Sequence, residues 1–251
     1  MSKTTGKTAV VVLAAGKGTR MKSDKAKVLH EVLGRPMVDY VMASAREIAG
    51  PDVVVVVGHQ ADAVKAAVAE RHAAFFALQD EQLGTGHAVM SARSAIGEAT
   101  KQVVILCGDV PLVKPETLKE LVQAHETAGR AVSVLAVSLD SPTGYGRMVT
   151  GENGALLRIV EEKDASAEEK AIKEINSGIY CVDAGFLFSA LDKVKSDNAQ
   201  GEYYLTDIVE IAVQDGAGAG VVTGGSAREV TGVNTVNDLE TVRQMLEERP
   251  T

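Results

Sequence analysis

Five consecutive valines, Val53–Val57, restrict what this chain can fold into more than any other feature. Successive side chains in a strand point to opposite faces, so this run is apolar on both. It suits the interior of a parallel sheet covered by helices on each side, and it argues against a sheet with one wet face. Short β-branched runs at 8–13, 52–57, 74–78, 103–106 and 131–138 alternate with helical periodicity at 36–48, 61–71, 85–96 and 115–128. Pro36 is expected in the first helical turn, where a missing N–H costs nothing. The alternation predicts an α/β fold, a Rossmann-like doubly wound sheet.

The second half is more mixed, and so is the sheet it implies. Short strands are expected at 145–149 and 156–161 around a turn at Glu152-Asn153-Gly154. A helix is expected at 168–173, a strand at 175–182 and helices at 203–214 and 236–248, with 249–251 a frayed end. Further short strands fit 219–222 and 230–233. No composition break, linker or repeat divides residues 1–251, which are therefore expected to form a single domain with insertions.

Aromatic residues make up only 4% of the chain and Trp is absent, so Val, Ala, Leu and Ile must build the core. The formal charge is −8, which argues against a nucleic-acid polymer as partner but leaves room for a small anion held by a few cations. The two cysteines, Cys107 and Cys181, sit in apolar stretches with no CxxC, and are expected to be buried free thiols. No apolar run approaches the roughly 20 residues of a membrane span. The apolar stretch from Ala9 reads as a buried strand in preference to a secretory signal. The expectation is a cytoplasmic protein that does not engage a membrane.

Three constellations carry chemistry. Leu13-Ala14-Ala15-Gly16-Lys17-Gly18-Thr19-Arg20-Met21 follows the first strand, at the edge where open α/β sheets bind ligands. Its glycines let backbone amides turn towards anionic oxygens, and Lys17, Arg20, Lys25 and Lys27 add a local surplus of cations. A polyphosphate fits that surplus. The Walker spacing is absent, and Met21 stands where a dinucleotide fingerprint needs its third Gly. Cys107-Gly108-Asp109-Val110-Pro111 places a carboxylate just past another buried strand. Asp109 suits either Mg²⁺, which takes hard oxygen ligands, or a turn before Pro111; a neighbouring phosphate nest favours the metal. In Gln79-Asp80-Glu81-Gln82-Leu83-Gly84-Thr85-Gly86 an amide offers the donor and acceptor a nucleobase edge requires, and Gly84 and Gly86 allow close approach to a flat ring. The same segment also reads as a polar loop with Thr85 as helix N-cap. There is no GxSxG elbow and no HExxH, and the five histidines are scattered. Without an activated nucleophile, direct transfer is expected.

Taken together, these residues closely resemble the sugar-nucleotide pyrophosphorylases, and among them the uridylyltransferase domain of the bifunctional N-acetylglucosamine-1-phosphate enzymes. The resemblance also rests on Lys27-Val28-Leu29-His30, Gly144-Tyr145-Gly146-Arg147, Ile159-Val160-Glu161, Asn176-Ser177-Gly178, Gly201 to Asp207 and Gly232-Val233-Asn234, which occur in the family's order over nearly the whole chain. It implies a nucleotide-diphospho-sugar transferase fold and Mg²⁺-assisted in-line transfer of uridylyl from UTP to N-acetylglucosamine-1-phosphate. It also implies a role in supplying cell-wall and lipopolysaccharide precursors.

The resemblance further implies that Leu13, Ala14, Ala15, Gly16 and Gly108 contact the nucleotide and that Gln79, Gly84 and Thr85 read uracil. Arg20 and Lys27 grip phosphates, Asp109 and Asn234 hold the Mg²⁺, and Gly146, Glu161 and Asn176 hold the amino sugar, with Tyr204 and Thr206 nearby. On their own residues, Glu161 also reads as a solvated strand end and Asn176 as a turn former. This chain has Cys107 where well-known members carry Tyr before Gly-Asp, and it contains no hexapeptide β-helix, so acetyl transfer is not carried over and a monomer is expected. The rival readings are a related transferase using another sugar or alcohol phosphate, and a catalytically silent nucleotide-binding regulator.

Overall fold

A computed structural model describes residues 2–152 and 154–248; Asn153 in the expected turn and the expected frayed end 249–251 lie outside the described residues. In chain order the elements are β1 (Thr8–Ala14), a two-strand hairpin β2 (Glu31–Val32) and β3 (Arg35–Pro36), α1 (Met37–Ala49), β4 (Val53–Val57), α2 (Ala61–Ala69) and β5 (Phe75–Leu78). These are followed by α3 (Thr85–Ser91), β6 (Gln102–Cys107), α4 (Pro115–Ala128), β7 (Val132–Ser138), β8 (Arg147–Thr150), β9 (Leu156–Val160), α5 (Ala167–Lys170) and β10 (Glu174–Asp183). The last are α6 (Ala184–Leu191), α7 (Asp207–Gln214), β11 (Ala219–Thr223) and α8 (Val236–Glu247).

The main sheet runs β11-β7-β10-β6-β1-β4-β5, and β8 and β9 extend it from β10. The valine strand behaves as its composition requires. Val54 and Val56 enter the core under α3, α6 and α7, while Val53, Val55 and Val57 enter the opposite core under α1, α2 and α4. All five are fully buried, each contributing on the order of 1.5 kcal/mol relative to exposure. Helices on both faces make the sheet doubly wound.

The sheet is mixed. β1 pairs in parallel with β4 and β6, but β10 enters antiparallel between β6 and β7. From β1 the chain winds out to β4 and β5, then returns to β6 on the other side of β1. The carboxyl ends of β1 and β6 therefore flank a topological switch point, the place where such sheets open a ligand crevice.

Several expected bounds shift for identifiable reasons. Pro36 pairs with Glu31 in the hairpin and caps α1 from outside. α3 stops at Ser91, and a separate 3-10 turn covers Arg93–Ala95. The helix expected from 203 starts at Asp207, because the Tyr203 backbone is engaged elsewhere: its amide donates to Leu83 O and its carbonyl accepts from Gly86 N. Residues 230–233 form no strand; Val233 N donates to Asp109 O. α6, which sequence periodicity does not predict, begins directly at the end of β10, capped by the Asp183 carboxylate at Gly185 N. Among the described residues no helix is long and apolar enough to cross a membrane.

Candidate active site

A cavity of about 460 Å³ opens at the carboxyl ends of β1 and β6. Of the expected nucleotide positions, Leu13, Ala14, Ala15, Gly16, Lys27, Gln79, Gly84, Thr85 and Asp109 line it; Gly108 does not. Gly108 instead lies against the chain below, its amide donating to Leu13 O at 2.9 Å, where a Cβ would stand 2.9 Å from the same oxygen. Further lining residues to which the sequence assigns no role include Gln82 and Ala88, from the Gln79 loop and α3, and Glu202, brought in when the Tyr203 backbone pairs with Leu83 and Gly86.

The loop after β1 is shaped by Gly18, whose φ of +61° is strained for other residues. A Cβ there would come within 2.6 Å of the Lys27 Cβ. Gly18 thus lets the Lys27 stem lie against the loop and reach Asp109. The Lys27 ammonium pairs closely with Asp109 Oδ2 and donates to Asn234 Oδ1 at 3.2 Å. Arg20 Nη2 donates to the same Asn234 oxygen at 2.8 Å. Four expected residues therefore meet although they lie far apart in sequence. Their register is set by the Val233–Asp109 backbone bond and by a capping box at the start of α8, in which Thr235 and Asp238 satisfy each other's amides.

Asp109 and Asn234 thus present two hard oxygens to a single cationic centre, occupied by an ammonium. Among the described residues no three His, Cys, Asp or Glu side chains converge as a metal cage. Two oxygens suit an ion such as Mg²⁺, which keeps waters and shares its remaining positions with phosphates.

The Gln79 side chain is buried beneath the cavity. Its amide nitrogen donates to Gly84 O at 3.1 Å and lies 3.2 Å from His87 Nδ1, leaving the carbonyl oxygen to accept. Gly84 and Gly86 permit close approach, as expected, but to the Tyr203 backbone: Cβ atoms there would lie 2.7 and 2.9 Å from its carbonyl oxygen. Thr85 is not the N-cap. Gly84 holds that position, and the Thr85 hydroxyl accepts from Leu205 N at 3.1 Å.

Cys107 also lines the cavity and is half-buried, which corrects the expectation of two buried thiols; Cys181 is fully buried. Desolvation, reinforced by the Asp109 charge, pushes the Cys107 thiol up to about 12. It is a lining group and a poor nucleophile.

The expected sugar positions form a second group beside this cavity. Gly146 O accepts from Asn176 N at 2.9 Å, and a Gly146 Cβ would stand 3.4 Å from that of Asn176. Asn176 Oδ1 accepts from Gly178 N at a bulge in β10. Glu161 follows β9, on which α7 packs. Desolvation raises its carboxyl; the Thr206 hydroxyl opposes the rise, while Asp207, Asp164 and Glu202 add to it. Asp207 is itself raised to about 6 by desolvation, Glu210 and Asp164. The Tyr204 hydroxyl turns to Asp164 Oδ2 at 3.1 Å and accepts from Gln200 at 2.9 Å.

Comparison with known proteins adds to this geometry. Residues 10–172 match the family described as MobA-like NTP transferase domain. The chain is 51% identical over 91% of its length to the bifunctional protein GlmU of Geobacter metallireducens, covering 48% of that protein. It is 48% identical over 90% of its length to GlmU of Desulfotalea psychrophila, covering 67% of it. Against GlmU of Anaeromyxobacter sp. (strain K) the identity is 48%, over 98% of this chain and 51% of the relative. The chain thus spans about half the length of most curated relatives it matches. A solved structure of a putative glucose-1-phosphate thymidylyltransferase from Bacillus anthracis superposes with a TM-score of 0.76 at 20% identity, covering 97% of both chains. That likeness establishes the nucleotidyltransferase type of mixed α/β sheet.

Proposed function

The chain belongs to the MobA-like NTP transferase family, and on that premise we propose that it transfers uridylyl from UTP to N-acetylglucosamine-1-phosphate, releasing pyrophosphate. The observation that carries this reading is the convergence of Arg20, Lys27, Asp109 and Asn234 at a cavity lined by the Leu13–Thr19 loop and Gln79. The extensive identity to bifunctional GlmU proteins supports it.

Both reactants are anions, so their mutual repulsion is the main obstacle. Lys27 and Arg20 reduce it by placing cations where phosphates enter, and loop amides around Gly16 and Gly18 add fixed dipoles. Asp109 and Asn234 would supply the protein oxygens for a Mg²⁺, which would neutralise polyphosphate charge. Lys27 then exchanges its contact with Asp109 for a phosphate oxygen. The sugar phosphate oxygen attacks the α-phosphorus opposite the departing pyrophosphate, and alignment supplies much of the acceleration. Glu161, Asn176 and the Gly146 backbone accept and donate to sugar hydroxyl and amide groups.

Base selection follows from Gln79. With its nitrogen engaged by Gly84 and His87, its carbonyl oxygen accepts from a base N–H. Uracil N3 carries that hydrogen and cytosine N3 does not, so cytosine leaves a buried acceptor facing a lone pair. Pyrophosphate release measured over a panel of nucleotides and sugar phosphates tests the proposal. UTP with N-acetylglucosamine-1-phosphate is the expected best pair, and Gln79→Ala should narrow the gap between UTP and CTP. Equal use of CTP by the intact chain would sink the uracil reading.

A further inference from the structure

Tyr180 lies in the middle of the core, 1% exposed, yet its hydroxyl, beside the Asn176 side chain, has no well-aligned hydrogen-bond partner. The Thr206 hydroxyl, on a residue 4% exposed, faces the Glu161 carboxylate but likewise lacks a well-aligned partner. A buried donor left without a good partner is destabilising, and native cores satisfy nearly all of theirs. Here both stand beside the same groups. Tyr180 follows the β10 bulge that begins at Asn176, and its hydroxyl lies next to the Asn176 side chain and within the field of Glu161. Thr206 ends the turn into α7, which packs on the strand that delivers Glu161.

Resting on the uridylyl-transfer reading, we propose that Tyr180 is a positioning residue of the sugar subsite, its hydroxyl serving with that of Thr206 to hold the ionised Glu161 carboxylate while the sugar is bound. An ionised carboxylate accepts several hydrogen bonds and is stabilised by each. The other groups facing Glu161 are engaged or lack a donor: the Tyr204 hydroxyl donates to Asp164. Asp164 beyond β9, Glu202 in the loop before α7 and Asp207 at its start are all acidic, and Cys107, which faces Tyr180 from β6, is a neutral thiol. In the free protein the Thr206 hydroxyl already faces Glu161 and the Tyr180 hydroxyl rests beside Asn176; with sugar bound, both align on Glu161 and turn its second oxygen to the ligand.

The test is Tyr180→Phe, which removes a single oxygen from a ring that otherwise keeps its packing. We expect the KM for N-acetylglucosamine-1-phosphate to rise about tenfold or more, because hydrogen bonds to charged groups are among the stronger ones. The KM for UTP should stay within twofold. The acid limb of kcat/KM for the sugar phosphate should move to higher pH, since a carboxylate that loses a donor is protonated more easily. The variant should melt close to wild type, because the hydroxyl makes no well-aligned bond in the free state.

An unchanged sugar KM with an unmoved acid limb overturns the assignment. So does a lower melting temperature accompanied by equal losses towards both substrates, or a chain that no longer folds, since each marks a structural role. If wild type itself does not turn over this sugar phosphate, the uridylyl-transfer reading fails on that result alone. Titration of Glu161 by carbon-detected NMR then decides about Tyr180: an upward shift in Tyr180→Phe supports its link to Glu161, and an unchanged titration removes it.

Discussion

The two ends of the cleft treat their carboxylates in opposite ways. At the parallel end, Asp109 meets a cation, the Lys27 ammonium, and Asn234 is shared with the Arg20 guanidinium. At the antiparallel end, Glu161 meets Asp164, Glu202 and Asp207, and its carboxyl is raised by desolvation and by their charges. The first arrangement suits phosphates and a metal, because its cations are present and its acid is paired with one of them. The second repels phosphate and favours neutral groups that donate hydrogen bonds, as sugar hydroxyls and an amide do. Under the proposed reaction, this charge contrast would orient a sugar phosphate in the cleft, its anionic end towards Lys27 and its ring towards Glu161.

The strongest way to break this contrast is at the cationic end. Asp109→Ala should fold, since Asp109 is at the sheet edge and partly exposed, yet lose roughly 10²–10³-fold or more in turnover. Excess Mg²⁺ should not restore it, and near-normal pyrophosphate release would remove the metal assignment.

Next in size is Glu161→Gln, which keeps the shape and abolishes the charge. A loss of about 10–100-fold in kcat/KM is expected for the sugar phosphate, with UTP binding by calorimetry unaffected. Equal weakening of UTP would show that the two ends do not act separately.

The smallest effect concerns stability. The Asp207 carboxyl titrates near 6 when folded, above its ordinary value of 3.8. The folded state therefore holds a proton that the unfolded chain releases earlier. The associated stability is fully present below about pH 4 and is lost as pH rises through about 6. Asp207→Asn should thus stabilise the protein at pH 7.5 by about 1–2 kcal/mol, discounting the full shift for its partial exposure. It should change little at pH 3.5. Denaturant titrations at the two pH values check this, and equal midpoint shifts at both would contradict it.

The same division governs what the sequence could reveal. At the parallel end, strands buried on both faces announce themselves as apolar runs, and the glycines and charges that follow them are contiguous. The loop from Leu13 to Met21 and the Asp109 turn are thus legible from a few neighbours. At the antiparallel end, the decisive contacts are distant. The Tyr203 backbone pairs with Leu83 and Gly86, so periodicity beginning at 203 cannot become helix before Asp207. The apolar sequence Ala184-Gly185-Phe186-Leu187-Phe188 continues the hydrophobicity of β10 without a periodic break, and only the Asp183 cap turns it into α6. Glu161 and Asn176 carry no local sign of a site; only the family motifs around them mark their positions. The Tyr180 hydroxyl carries no sign at all, because a tyrosine in an apolar strand reads as core.

The Arg20–Asn234 bond has a consequence for how the molecule comes into being. Its two residues are separated by 214 positions. The loop that carries Arg20 and the approach to Asn234 share one small apolar cluster, in which Met21, Met37, Leu112, Val233 and Val242 are buried together. During synthesis, the sheet around β1, β4 and β6 can collapse while the ribosome is still adding residues, since domains fold as their parts emerge. The Asn234 oxygen arrives only after most of the chain has left the exit tunnel, and Val242, which anchors α8 over it, arrives later still. The cluster of Arg20, Lys27, Asp109 and Asn234 is therefore completed among the last features of the fold, after the strands that carry its first three members are in place.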